Sequence, residues 1–153
     1  GYGLTPKNLD AVKEAGVDSF GLALKAYDGS DHKWLTGCFN RNILKLPGEI
    51  VKRGFVLEVL SLYIPNLVET RHLKKIAQLI FDVDPEIPFT LLAFFPEYQM
   101  KRYKSPKVSE MIEAYMGVRA IGLRNVRLGN TGVFASSEQD YVLLKRKVAA
   151  GDY

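Results

Sequence analysis

A chain of 153 residues, 47% of them apolar, is long enough for one buried core and suits a single domain. The net charge of +4 permits an anionic ligand without demanding nucleic acid, and the single cysteine, Cys38, excludes an internal disulfide and points to a reducing, cytoplasmic setting. No stretch approaches the roughly 18 to 20 apolar residues of a membrane span, and no signal peptide is visible. Lysine, arginine and glutamate are plentiful and glutamine is scarce, a lean towards a thermophile. The chain opens on Gly1 rather than Met, which points to a processed, proteolysed or excised piece.

Thr5-Pro6 has the cap-then-proline form of a helix start, with Leu9, Val12 and Ala15 as its apolar stripe and Gly16 as its stop. A strand-like run follows at Asp18 to Tyr27 (DSFGLALKAY). Asp28-Gly29-Ser30-Asp31 reads as a turn, and the polar stretch to Asn42 as a long loop. Pro47 to Arg53 is the firm part of the next helix, and Phe55 to Tyr63 (FVLEVLSLY) the second strand. Glu69 to Asp82 is the clearest amphipathic helix, with Leu73, Ile76, Ala77 and Ile80 on one face. Phe89 to Phe95 (FTLLAFF) is the third strand. Ser105-Pro106 starts another helix, with Val108, Ile112, Tyr115 and Val118 inward and Gly122 as its end. The fourth strand is Asn125 to Asn130 (NVRLGN), and the pattern breaks after Gly132.

Strand starts at 18, 55, 89 and 125 are 37, 34 and 36 residues apart, the length of one β/α unit of a parallel sheet. The runs do not alternate cleanly, as when helices cover both faces of a strand. Four strands cannot close a barrel, which needs about eight. The expected fold is therefore α/β, a half β/α barrel over residues 1–132, with 133–153 as a tail packing on it or on a partner. In such sheets chemistry sits where strands end and helices begin. Those positions, Lys25 to Asp28, Tyr63 to Asn66, Phe94 to Glu97 and Gly129 to Gly132, are richer in unusual residues than the opposite ends, with plain turns at Arg53-Gly54 and Gly122-Leu123.

The segments GYGLTPKNLDAVKEAGVD, GLALKAYDGSDHKWLTG, EVLSLYIPNLVET, LLAFFPEYQM and GLRNVRLGN resemble, in order, the later part of radical S-adenosylmethionine (SAM) proteins. Within that family they are most similar to the pyruvate formate-lyase activating enzyme group and its archaeal relatives, from Tyr2 to about Asn130. The resemblance implies a six-stranded, partly open β/α barrel, of which this chain holds strands four to six and a C-terminal extension. Gly1-Tyr2-Gly3 corresponds to the loop after the family's third strand. The family's CxxxCxxC loop, which binds a 4Fe–4S cluster, and its glycine-glycine-glutamate segment, which grips SAM, do not occur here. Cys38 alone cannot hold a cluster that needs several thiolates.

The resemblance implies that the intact protein cleaves SAM reductively at a 4Fe–4S cluster to form a 5′-deoxyadenosyl radical. A protein glycyl residue would be its target, and this chain alone would be inactive. It implies SAM contacts for Lys25, Ile64, Leu92 and Phe95. Lys25 matches the lysine of an aspartate-x-lysine strand motif, whose aspartate is replaced by Ala23. Phe95 stands where relatives often carry histidine, so it can stack or pack but not hydrogen-bond SAM through its side chain.

Read from the residues alone, Lys25 equally suits a surface lysine flanking a strand, and Ile64, Leu92 and Phe95 are ordinary packing residues. His32 and His72, on an expected loop and helix start, make no metal site. Asp28, Asp31 and Glu97 read as solvated turn residues before acids or ligands. Lys101, Arg102, Lys104 and Lys107 form the densest basic patch, a solvated loop first and a dock for an acidic partner second. Alternative functions are a non-catalytic β/α ligand-binding module, with Gly129 to Gly132 as an anion nest, and a scaffold that pairs with another subunit. The expected partners are the N-terminal half of the barrel, a second copy joined through the first-strand edge, and a protein or small-molecule substrate. The tail is the alternative cover for that edge. Nucleic acid and membrane are not expected partners.

Overall fold

The computed structural model describes residues 4–153, so Gly1-Tyr2-Gly3 and the loop they resemble lie outside the described residues. Helix α1 (Pro6–Glu14) begins where the cap-then-proline pair predicts: the Asn8 amide donates to Thr5 Oγ1 at 3.2 Å. Gly16, at φ +86°, adopts the left-handed turn that ends the segment. Only Leu9 of the expected stripe is fully buried; Val12 is half-buried and Ala15 exposed. Strand β1 (Ser19–Ala23) follows.

The first correction falls between residues 28 and 42, where the long loop is largely a helix, α2 (Gly29–Thr36). Asp28 is its N-cap residue and Gly37, at φ +81°, closes it. Asp-Gly-Ser-Asp is turn chemistry, but the same residue types begin helices, and here tertiary contacts decide. Leu35 packs on a buried cluster of Ala26, Ile64, Val68 and Phe94. His32 is buried, its Nδ1 hydrogen-bonded to the Cys38 carbonyl at 2.8 Å, while Thr36 Oγ1 donates to the His32 carbonyl at 2.7 Å. Buried Asn40 then donates from Nδ2 to the carbonyls of Ala26 at 3.0 Å and Tyr27 at 2.6 Å, pinning the exit of β1.

The remaining elements fall close to their expected places: α3 (Leu46–Lys52), β2 (Val56–Tyr63), α4 (Thr70–Phe81), β3 (Phe89–Ala93), α5 (Val108–Arg119) and β4 (Val126–Gly129). Leu73, Ile76, Ala77 and Ile80 are all fully buried on α4. The segment after Gly132 is more ordered than its pattern suggested. A four-residue turn, α6 (Thr131–Phe134), leads to α7 (Glu138–Lys147). Ser137 and Asp140 form a reciprocal capping box at the start of α7, and Leu144 is its buried anchor.

The four strands form one parallel sheet in the order β1-β2-β3-β4. An order that never reverses is the arc of a barrel, whereas a doubly wound sheet reverses at its switch point. The buried residues agree. Leu22, Leu57, Val59, Tyr63, Phe89, Leu91, Ala93, Val126 and Leu128 share one core with residues of α1, α3, α4, α5 and α7. The alternate residues, such as Val56 and Leu60, face the other way and are half-buried or exposed. Their apolarity therefore does not mark a second helix layer; helices cover one face and leave the other open.

The two sheet edges differ. At β4 the Leu128 amide donates to the Asp152 carbonyl at 2.6 Å, and Tyr115 Oη donates to Asp152 Oδ2 at 2.7 Å, so the tail caps that edge. The tail thus covers the edge opposite to the one named as its alternative role, and β1 keeps a bare outer edge among the described residues.

Candidate functional site

Strand register arranges the open face in rows. Ala23, Leu60, Thr90 and Arg127 are partners across the four strands. One row nearer the strand ends, Leu62, Leu92 and Gly129 are partners, and Lys25 continues β1 to their level. Gly129 has a steric purpose: a Cβ there would lie 2.5 Å from Leu92 Cδ2, so its absence lets the Leu92 side chain lean across. One row deeper, Glu58 accepts a hydrogen bond from Thr90 Oγ1 at 2.8 Å. The open face thus carries Leu60, Leu62 and Leu92 above the Glu58–Thr90 pair on its central strands, with Lys25 on its first strand and Arg127 on its last. Among the described residues neither cation makes an ion pair or hydrogen bond through its side chain.

The sequence-derived residues divide into two pairs. Lys25 and Leu92 lie on the same open face, both half-buried. Ile64 keeps the same strand parity but is only 1% exposed, roofed by Val68, Phe94 and the side chains of Leu35, Met100 and Tyr103. Phe95, two residues beyond β3, is 51% exposed. Ala23, where the family motif has aspartate, faces the same side as Lys25, so this wall has one acid fewer. Glu58, Thr90 and Arg127 carry no motif, but they are the alternate-position neighbours of Leu60, Leu92 and Gly129 on their strands.

A second constellation sits at the rim where α2 meets the start of α4. His72 Nε2 is 3.3 Å from Asp31 Oδ2 and 3.6 Å from Asp28 Oδ2, and His72 is almost fully buried. One ligand atom from each of these three residues lies within 4.8 Å of the others, the spacing of a metal triad, which the reading of the two histidines and the acids as separate did not foresee. Glu97 is not among them. The cluster is already neutralised, however. Asp28 accepts from Lys75 Nζ at 2.9 Å and pairs with Arg71 at 3.1 Å. The hydrogen bond from Lys75, above all, holds the Asp28 carboxyl below its ordinary range, while burial pushes the His72 imidazolium down against the opposing pull of Asp28. With two cations on Asp28, the constellation is an ion-paired joint between α2 and α4.

No family model matches the chain. It is 27% identical over 109 residues to a curated protein of Methanocaldococcus jannaschii named as a glycyl-radical enzyme activating enzyme, covering 69% of this chain and 42% of that protein. Among solved structures, a domain of pyruvate-formate lyase-activating enzyme from Bacteroides vulgatus superposes with a TM-score of 0.67 at 18% identity, over 81% of this chain and 74% of that one. HMG-CoA lyase from Brucella melitensis gives 0.64 at 12% identity, over 94% of this chain and 51% of that one. The chain is thus similar in sequence to a protein named as a glycyl-radical enzyme activating enzyme, and it shares a partial α/β barrel with a domain of pyruvate-formate lyase-activating enzyme. It spans less than half the length of the curated relative it matches. The fold does not choose the reaction, since a protein named for a different one shares it.

Proposed function

We propose that this chain is the substrate-facing half of a radical SAM enzyme. The reading is supported chiefly by the sequence relationship to a named activating enzyme, together with an open face that carries Lys25 beside Leu92. The 4Fe–4S cluster fits no residue set here, because Cys38 is the sole cysteine and a cluster needs several thiolates. SAM fits in part. When bound, SAM supplies the reactive adenosyl group, and the protein supplies binding, orientation and exclusion of water.

Within that division of labour the Lys25 ammonium, without an ion pair among the described residues, serves as a mobile point charge for a carboxylate. Leu92, leaning over Gly129, gives the ligand an apolar wall. Ile64 supports that wall from beneath the rim rather than by open contact, and Phe95 offers an exposed ring at the mouth. Thr90, held by Glu58, and Arg127 line the deeper row where a substrate would lie. A protein glycyl residue is the substrate class implied by the activating-enzyme relative.

The gene upstream of Gly1 provides the first test: a CxxxCxxC motif there is the expected finding, and its absence overturns the reading in favour of a ligand-binding or scaffold module. In a protein carrying that motif, Lys25→Ala should raise the SAM dissociation constant by about tenfold, the scale of one charge-assisted contact worth about 1 to 2 kcal/mol. An unchanged constant in a calorimetric titration would leave Lys25 a surface lysine.

A further inference from the structure

Two rim segments, residues 32–45 and 95–107, meet over the ends of β2 and β3. The Trp34 and Tyr103 rings lie 6.0 Å apart at a steep angle, and Leu35, Met100 and Tyr103 pack on the buried Ile64 and Phe94 beneath. The outer surface of this roof is unlike the rest of the molecule. Trp34, Phe39, Phe95 and Tyr98 are 52%, 64%, 51% and 81% exposed, four of the six strongly exposed aromatics among the described residues. Tyr98 is held at φ +50°, a conformation few side-chain-bearing residues adopt.

Charge is concentrated in the same place. The two segments hold seven of the 21 lysines and arginines but only one of the 17 acids, so the remainder of the chain is slightly acidic. Elsewhere Arg53, Arg71, Lys75 and Arg124 are ion-paired; among the described residues none of these seven is. Lys33 lies instead over the Phe39 ring at 4.8 Å and Arg102 over Tyr103 at 5.5 Å. Between them a cleft of about 390 Å³ is lined by Trp34, Leu35, Gln99, Met100 and Arg102.

We infer that this roof docks an acidic protein segment, which sets an apolar side chain into the Trp34–Met100 cleft and its carboxylates against Lys33 and Arg102. Unpaired cations beside exposed aromatics are the composition of a binding surface rather than of a solvated loop. Two of the ring faces on which a nucleic-acid base would stack, those of Phe39 and Tyr103, are already taken by Lys33 and Arg102. A carboxylate needs only the outward side of the cation. The inference rests on this surface alone and holds whether or not SAM binds the open face.

A display pool of short random peptides, selected on the purified chain, tests it. The expected winners carry aspartate or glutamate flanking one large apolar residue. Their binding, followed by fluorescence anisotropy, should weaken about tenfold in the Lys33→Glu/Arg102→Glu variant and in Trp34→Ala, and should weaken as salt is raised. Lys33 and Arg102 are exposed, so the charge variant should keep the parent circular dichroism spectrum and urea midpoint. Winners without acidic residues, or equal binding to the charge variant, overturn the proposal. So does tighter binding of an oligothymidylate or of anionic phospholipid vesicles than of the best peptide, which would reassign the surface to nucleic acid or to a membrane.

Discussion

The two faces of the sheet are built from alternate residues of the same strands and behave as different materials. In β2, Leu57, Val59, Ser61 and Tyr63 are buried under helices, whereas Val56 is 69% exposed and Glu58, Leu60 and Leu62 are only half covered. One face is a closed core. The other has the composition of a barrel interior, apolar with a few charges, but without the strands that would close it. The hydrophobic effect rewards only area removed from water, so the closed face carries the stability and the open face remains available for a ligand or a partner.

The largest effect that could break this comparison lies in the core. Phe89→Ala should cost about 3 to 5 kcal/mol of unfolding free energy, while Leu60→Ala, a row away on the open face, should cost less than about 1.5. Urea denaturation of both variants checks it, and equal losses would mean that the open face is covered in solution. The edges give the next test. Asp152→Ala removes the acceptor of the Tyr115 hydroxyl and loosens the tail from β4, for an expected loss of about 1 to 2 kcal/mol. Hydrogen exchange should then rise at Leu128, whose amide the tail satisfies, and remain unchanged along β1, with which the tail shares no backbone hydrogen bond among the described residues.

The rim joint should respond to pH in a smaller, signed way. Burial, with Arg71 and Lys75 adding to it and Asp28 and Asp31 opposing, holds folded His72 below its ordinary 6.5. The unfolded chain therefore takes up that proton first. The stability linked to His72 is complete above about pH 6.5 and is lost as pH falls through the depressed folded value. Asp28, held down chiefly by Lys75, is also depressed, so its contribution is present above 3.8 and is lost only in more acidic solution. Urea midpoints measured from neutral pH downwards should show the first decline in the parent chain and not in His72→Gln. The smallest effect belongs to Arg127→Ala, expected within about 0.5 kcal/mol of the parent, because among the described residues its exposed side chain makes no ion pair to lose. A larger loss would reveal a structural partner for that arginine.

Several of these positions were open to reading from the chain itself. The α4 stripe is a strong periodic signal whose four expected core residues are fully buried, and the β/α spacing places the start of each strand within one residue, although β1 ends at Ala23, short of the expected Tyr27. Residues 29–36 were not legible, because Gly29 and Ser30 favour a turn locally and the helix is stabilised by Leu35 and His32 packing beneath the rim. The tail was not legible for a related reason: α7 buries a single core residue, Leu144, and its docking depends on Asp152 meeting β4 and Tyr115. Of the site, Lys25 and Leu92 emerged on one face, while the meeting of Asp28, Asp31 and His72 joins residues up to 44 positions apart.

The sequence by itself determined the parallel β/α plan of these 153 residues, its four strands and the single cysteine, too few thiolates for an iron–sulfur cluster. Periodicity, strand spacing and residue identity are local properties and need no partner to be read. Only the tertiary structure decided that helices cover one face, that the tail caps β4 instead of β1, and that Ile64 is enclosed while Lys25 stays accessible. Those outcomes depend on which surfaces exclude water from one another, a contest between segments far apart in the chain.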